Sequence, residues 1–597
     1  MRNTIFTAAM FALAVMAGGT AFAETERYAH GFSPLGSLAY GEGFSHFAYV
    51  NPQAPMGGTL RVGRTARFDS TNTLHYPGAT PTDLRLIYES LVERAADEPA
   101  SFYGLLAEGI RVAEDLSSVT FRINADARWH DGEPVTAGDV VFTFETLKAQ
   151  GAPFYRQAFR SISATAENDH TVRFDNARPG DRDFVKTVGA FPVHPEHLWS
   201  GEAGTDVSSQ TPVGSGPYRV ASLEIGKQLV LERVVDQWAR DMPVNRGRWN
   251  FERIEVRYYL DDSVALQAFM KGDLDVREET SARNWSSAYA NAAVENGDIK
   301  LSSFDAVGSG RIQNLVFNLR RQAFQDRRVR QALAIAFDAE WVRDNLFSGL
   351  YQVPVSLYGD SELSAKGAAD VTVRDLLTPH RANLPDGIFG ADILQPATFA
   401  DRRARNAEAD RLLREAGFIV RDGRRIDPST GKPFQIEVVT PNPQAGRVLS
   451  PYAEALERIG IELIVRSLEP VTAQRRMLDH DYDMTVLGWT PSPMPGRAEN
   501  LLWHSALADQ PGSYALAGTK DPALDAAIEA MGNARSMDAL LPAARAFDRV
   551  MRAQQYVVPL WREQATWIAH VRALAYPDAS VEPSVLDRWW FEDRRTN

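Results

Sequence analysis

Cysteine is absent from all 597 positions, which excludes disulfides, thiolate metal sites, a cysteine nucleophile and a lipid-modified cysteine behind a leader. Basic charge is scarce as well: 64 Lys and Arg face 77 Asp and Glu, the formal net charge is −13, and no basic stripe runs along the chain. Phosphate neutralisation has no footing on such a surface, so nucleic acid is excluded as a partner. No stretch is apolar over the length needed to cross a bilayer. The leading apolar run, Ala8 to Ala17, follows Arg2 and ends in Ala21-Phe22-Ala23, the pattern of a secretory signal peptide with an A-x-A cleavage site. The expectation is a signal peptide over 1–23 and a mature chain from Glu24, exported to a periplasm without a lipid anchor.

Catalytic signatures are also lacking. No Gly-x-x-x-x-Gly-Lys-Ser/Thr stretch occurs, so any ATP used is bound by another protein. Gly214-Ser215-Gly216 has the wrong spacing for a nucleophile elbow and runs into Pro217, which reads as a turn. His194 and His197 sit in a proline-broken loop rather than on one helix face, a poor arrangement for zinc. His130-Asp131-Gly132 reads as an Asp-Gly turn before a capped helix, and the Asp479, His480, Asp481, Asp483 cluster as a solvated turn. The expectation is no catalytic residue, no metal and no cofactor.

What remains is regular alternation. Thr59 to Gly63 reads as a strand and Asp83 to Arg94 as an amphipathic helix carrying Leu84, Ile87, Tyr88 and Leu91. Phe251 to Leu260 alternates as a strand, Ser263 to Lys271 is a helix ended by Gly272, and Leu274 to Val276 begins another strand, a β-α-β unit. The unit recurs at Phe434–Thr440, Leu449–Arg458, Ile461–Leu468, Val471–Leu478 and Tyr482–Leu487. Alternation of this kind implies wound α/β lobes whose strand ends meet at a cleft. The last strand runs into Gly488-Trp489 and a loop with three prolines. Ligands of open α/β sheets bind beyond the carboxyl ends of strands, so Trp489 is a candidate pocket wall.

Three motifs carry a resemblance that extends over essentially the whole mature chain: WHDGEPVTAGDVVFTFE (Trp129 to Glu145), PVGSGPYRV (Pro212 to Val220) and QNLVFNLRRQAFQDRRVRQALAIAFD (Gln313 to Asp338). They resemble, in order, the large extracytoplasmic solute-binding proteins of peptide ABC transporters (family 5, oligopeptide and dipeptide type). The segment Arg246 to Trp285 is most similar to the Yej-type branch, which takes larger or modified peptides. The resemblance implies an α/β, two-lobe periplasmic-binding-protein-like (type II) fold with an extra N-terminal subdomain. Lobe I is expected over 24–65, 205–305 and 530–597, the extra subdomain over 66–204 and lobe II over 306–529. It further implies a monomeric receptor that closes on an oligopeptide or peptide-derived ligand and hands it to membrane permease subunits, with glycines near Gly214 and at Gly308-Ser309-Gly310 as linkers.

Family members commonly hold the ligand ammonium with an Asp three residues past the Trp. Here that position is Ser492, and the Arg that some members carry three residues before the Trp is Val486. An unpaired buried ammonium is costly, so another acid holds the amine or the ligand lacks one. The candidate ligand-binding residues are Phe68, Ser70, Asn72, Asn314, Arg476, Trp489, Thr490, Ser492, Arg497 and Trp503, with Arg475, Arg476 and Arg497 as candidates for an anionic ligand end. The rival readings are a receptor for muropeptides or another non-standard ligand, and a secreted peptide or cell-wall hydrolase.

Overall fold

The computed structural model describes residues 27–75, 79–200, 211–306, 308, 310–442 and 445–592; the expected signal peptide and Ser309 lie outside them. The first strand of the main sheet in chain order is β1 (Thr59–Thr65). Residues 83–94, expected as one helix, fall instead into a short 3-10 turn at Thr82–Leu86 and a strand at Val92–Arg94. Leu84, Ile87 and Leu91 are buried all the same, because packing rather than helical hydrogen bonding fixes this stretch. A four-stranded antiparallel sheet follows, made of β2 (Ala107–Val112), β3 (Ser118–Ile123), β4 (Ile162–Asn168) and β5 (Thr171–Asn176), in the order β2-β3-β5-β4. Helix α1 (Ala137–Gln150) lies within this unit, and Thr136 and Asp139 close a reciprocal capping box at its start. The interior is aromatic-rich, with Phe121, Phe144, Phe174 and Phe191 buried together.

The chain then completes a seven-stranded sheet through β6 (Tyr218–Glu224), β7 (Gln228–Arg233), β8 (Arg253–Tyr259), helix α2 (Asp262–Met270), β9 (Val276–Glu279) and β10 (Ile299–Asp305). It crosses at residues 306–310 into a five-stranded sheet: β11 (Arg311–Phe317), β12 (Gln435–Thr440), β13 (Glu462–Ser467), β14 (Met484–Trp489) and β15 (Val557–Glu563). Helix α3 (Pro470–Leu478) leads into β14, while α4 (Pro522–Asn533) and α5 (Met537–Gln554) lead into β15. Strand β16 (Ala565–Val571) returns to the first sheet. The strand orders are β10-β16-β9-β1-β8-β7-β6 and β13-β12-β14-β11-β15.

Two expectations about the crossings change. Val557–Glu563 pairs with Arg311–Val316 in the second sheet, so the return lies at Gln564 rather than near residue 530. Gly214 is no linker: a Cβ there would lie 1.7 Å from the Ile87 carbonyl oxygen, so this glycine permits close packing of two backbones. At the crossing itself, Ala306 donates its N–H to the Gln564 carbonyl at 2.9 Å. Gly308 and Gly310 have φ of +76° and +67°, where glycine has no steric penalty.

Candidate functional site

Strand direction sets the site. In the first sheet β9 and β8 run parallel to β1, and β16 runs antiparallel to β9 and away from the crossing. In the second, β14 and β15 run antiparallel to β11, which leaves the crossing, and β12 runs parallel to β14. The carboxyl ends of β1, β8 and β9 therefore face those of β12, β14 and β15 across a two-strand hinge. This is where open α/β sheets bind ligands.

Trp489 ends β14 opposite Ile312. Its ring is half-buried and tilted 60° against Trp503 at 5.9 Å. Thr490 is exposed beside it, and the Ser492 hydroxyl accepts the Met494 N–H at 3.1 Å. Of the ten candidates, Trp489, Thr490 and Ser492 come together on one loop. Trp503 lies beneath them in the core, 1% exposed.

The remaining candidates have other commitments. Phe68 is buried edge-on against Tyr258 at 4.7 Å. Ser70 and Asn72 stabilise their own turn: the Ser70 hydroxyl accepts the Asn72 N–H, and the Asn72 amide oxygen accepts the N–H groups of Leu74 and His75 at 3.1 and 3.0 Å. Asn314 lies within β11, 1% exposed, and lines a separate cavity of about 350 Å³ between β15 and the 393–399 segment. Arg476 is held by Glu437 at 2.7 Å and Asp481 at 3.0 Å, and Arg475 lies 3.8 Å from Asp479. Arg497 contacts Glu529 at 3.0 Å and Asn533 at 2.8 Å. A solvent-screened pair such as Arg476–Glu437 contributes little. Arg476→Ala should change ligand affinity less than about twofold by calorimetry, and a tenfold loss would return this arginine to the site.

The facing strand ends hold charges that the sequence did not single out. From the first sheet come Arg64, bound by both oxygens of Asp83 at 2.8 and 3.2 Å, and Glu278. Glu278 is reached by solvent, yet the surrounding walls push its carboxyl up, with Arg64 pulling the other way. From the second sheet come Arg311 and Glu563, opposed across the β11–β15 pair. Burial pushes the Glu563 carboxyl up; Arg311 and Gln313 oppose this, and the Glu278 charge adds to it. The Arg311 guanidinium packs over Gly488, 2.4 Å from where a Cβ would stand, so the Gly of the Gly-Trp pair makes room for a cation. Behind the hinge, Trp285 and Trp567 stack at 5.7 Å, and Tyr351 continues the column from Trp567 at 5.5 Å and to Trp561 at 6.3 Å, all within 9° of parallel. An acid or arginine at the carboxyl end of a strand was the available signal for Glu278 and Glu563.

The histidines singled out in the sequence are structural. His130 lies 2.9 Å from the Gly216 carbonyl oxygen, and His197 bonds Asp131 at 2.8 Å. His194 is fully buried beside the Thr73 hydroxyl at 2.7 Å, and burial lowers it to about 3. No group of three or more metal-capable side chains occurs among the described residues, and no described helix is long and apolar enough to cross a membrane.

The sequence profile of bacterial extracellular solute-binding proteins, family 5 Middle, matches residues 101–509. The chain belongs to that family. It is 35% identical over 586 residues to the uncharacterized protein YejA of Escherichia coli, covering 96% of this chain and 94% of that one. It is also 35% identical over 582 residues to the probable peptide-binding protein YejA of Agrobacterium fabrum, covering 95% and 94%. Among solved structures, the oligopeptide-binding protein AppA from Bacillus subtilis, in complex with a nonapeptide, superposes with a TM-score of 0.69 at 20% identity over 91% of this chain and 100% of that one. The fold is thus the α/β type II binding-protein fold, and the family consists of binding proteins rather than enzymes, which answers the hydrolase reading.

Proposed function

We propose that this family member is the periplasmic, monomeric receptor of an ABC importer. It closes its two lobes on an oligopeptide or peptide-derived ligand and presents it to membrane permease subunits, after a signal peptide over 1–23 has directed its export. The lobes are the two sheets with their helices, joined at 306–310 and 564. The observation that carries the reading is the opposition of carboxyl strand ends from two sheets across a two-strand hinge. An extended peptide in that cleft can pair its N–H and C=O groups with strand edges, giving affinity that does not depend on sequence. Only a ligand that touches both lobes shifts the population toward closure. Trp489 supplies a flat apolar wall, and Ser492 leaves the ligand amine without an acid on that loop.

Glu278 and Glu563 fill that gap in this reading. They come from opposite lobes, and Arg64, the cation nearest in effect to Glu278, is itself engaged by Asp83. Two like charges facing across the cleft disfavour closure of the empty receptor, and an ammonium between them turns the repulsion into attraction. Calorimetry with a free-amine pentapeptide and its N-acetylated form tests this. Glu563→Gln and Glu278→Gln should each weaken the free-amine peptide about tenfold and leave the acetylated peptide within about twofold, each tenfold step corresponding to about 1.4 kcal/mol. A wild-type protein that binds both forms equally would show that no acid of this site holds the amine.

A further inference from the structure

The loop that begins at Trp489 is gripped at its far end by the extra subdomain. Arg182, 2% exposed, donates from Nη2 to the Pro495 carbonyl at 2.5 Å, and its backbone N–H reaches the Gly532 carbonyl at 3.3 Å. The Asp183 carboxylate accepts the Arg497 N–H at 3.2 Å, and Asp181 lies 3.7 Å from the Arg497 guanidinium. Arg497 in turn is tied to Glu529 and Asn533, at the end of α4. Two glycines make the approach possible. A Cβ at 496 would lie 2.5 Å from an Asp183 oxygen, and one at 532 would lie 2.4 Å from Arg497 Cγ. Beneath the contact, Glu499 accepts the Gly496 N–H at 2.9 Å and is 3% exposed.

These partners belong to different halves of the molecule. Residues 181–183 move with the first sheet, because Glu89 of the subdomain accepts from Gln237 and Trp238 beyond β7, at 3.0 and 2.9 Å. Residues 495–533 belong with the second sheet. The only covalent connections between the halves are 306–310 and 564, so any rotation about that hinge separates Arg182 and Asp183 from the loop. Pro491, Pro493 and Pro495 stiffen the six residues between Trp489 and Gly496, since each ring fixes φ. Movement of the Trp489 ring is therefore transmitted to Gly496 instead of being absorbed.

We propose that Arg182 and Asp183 of the extra subdomain, with Arg497, form a closure latch that positions the Trp489 loop and holds the receptor shut on its ligand. The inference rests on the two-lobe closing reading and assigns the extra subdomain a part in it. Arg182 and Asp183 are positioning residues, since they act through the loop. The latch runs in both directions: the Arg182 guanidinium and backbone N–H donate to the Pro495 and Gly532 carbonyls, and the Asp183 carboxylate accepts the Arg497 N–H, a set that is lost together once water enters.

The chain has no cysteine, so Asp183→Cys with Gly496→Cys introduces a single possible disulfide. A Cβ at 496 would lie 3.3 Å from Asp183 Cγ, the place an introduced sulfur at 183 would take, so the two side chains can meet. Oxidation with diamide is followed with and without a pool of random pentapeptides, whose binding is measured separately by calorimetry. If the pool binds, bridging should accelerate at least tenfold in its presence; an equal rate with bound and unbound protein overturns the latch. If the pool does not bind, the peptide reading has failed and the latch is judged by X-ray scattering. The oxidised protein should then be more compact than the reduced one, and equal radii of gyration overturn it. Arg182→Ala supplies the second measurement. It should leave the melting temperature of ligand-free protein within about 2 °C of wild type while ligand release accelerates about tenfold. A fall in ligand-free stability with unchanged release would mark Arg182 as structural only.

Discussion

Trp489→Ala is expected to weaken ligand binding by roughly thirty- to a hundredfold, about 2–3 kcal/mol, the range of an aromatic anchor at the centre of an interface. The ring closes the carboxyl end of β14 and rests edge-on against Trp503. It is half-buried, so one side is packed and the other faces the cleft. Because part of the ring already lies in water, its removal should cost the fold only about 1–2 kcal/mol, below the usual figure for a large core side chain. Trp503→Ala is the control: that ring is 1% exposed, and its loss should cost about 3–5 kcal/mol of stability. Calorimetric affinity and denaturant midpoints measured on both variants separate the two roles. A Trp489→Ala protein that binds as well as wild type would remove the loop from the site.

The same stretch shows how far the sequence could be read. The strand, the Gly-Trp pair and the proline loop were legible because period-two alternation and proline spacing are local signals. The β-α-β units were legible for the same reason, and α1 was announced by its cap. Arginine roles were not. Arg476 and Glu437 are 39 residues apart, and Arg497 and Glu529 are 32 apart. Nothing in a window of ten or twenty residues shows that such a guanidinium already has its partners. The 83–94 stretch misled in another way: its apolar spacing is helical, but its buried side chains pack against two different elements, and tertiary packing decides the backbone. Val557–Glu563 was grouped with the strand after it because the two are nearly continuous in sequence. The hinge at Gln564 is a single residue with no glycine or proline to announce it.

Stability should fall as pH rises from 6.5 to 8, by on the order of 2 kcal/mol, and Glu89→Gln should remove most of that slope. Glu89 is 4% exposed, sits between the extra subdomain and the first sheet, and is pushed up to about 8 by burial, only partly offset by donors from Ser215, Trp238 and Gln237. In the unfolded chain it titrates near 4.5. Between those values the folded protein keeps a proton that the unfolded chain has released, so the stabilisation is complete below 4.5 and is lost as pH climbs toward 8. Glu499, raised to about 7 by burial, adds a smaller loss in the same direction that ends near neutrality. His194 acts oppositely, but only in acid: lowered to about 3, it costs stability as pH falls below 6.5. Starting at 6.5 therefore keeps His194 out of the profile, and the Glu89→Gln comparison picks out the Glu89 share. Glutamine mimics the protonated acid, since its amide can donate where the carboxyl O–H would and still accept from Gln237 or Trp238. Chemical denaturation of wild type and Glu89→Gln at half-unit steps from pH 6.5 to 8.5 measures the difference. Parallel profiles would mean that Glu89 is ionised in the folded protein, held as a charge between the subdomain and the first sheet instead of as a neutral hydrogen-bonding acid.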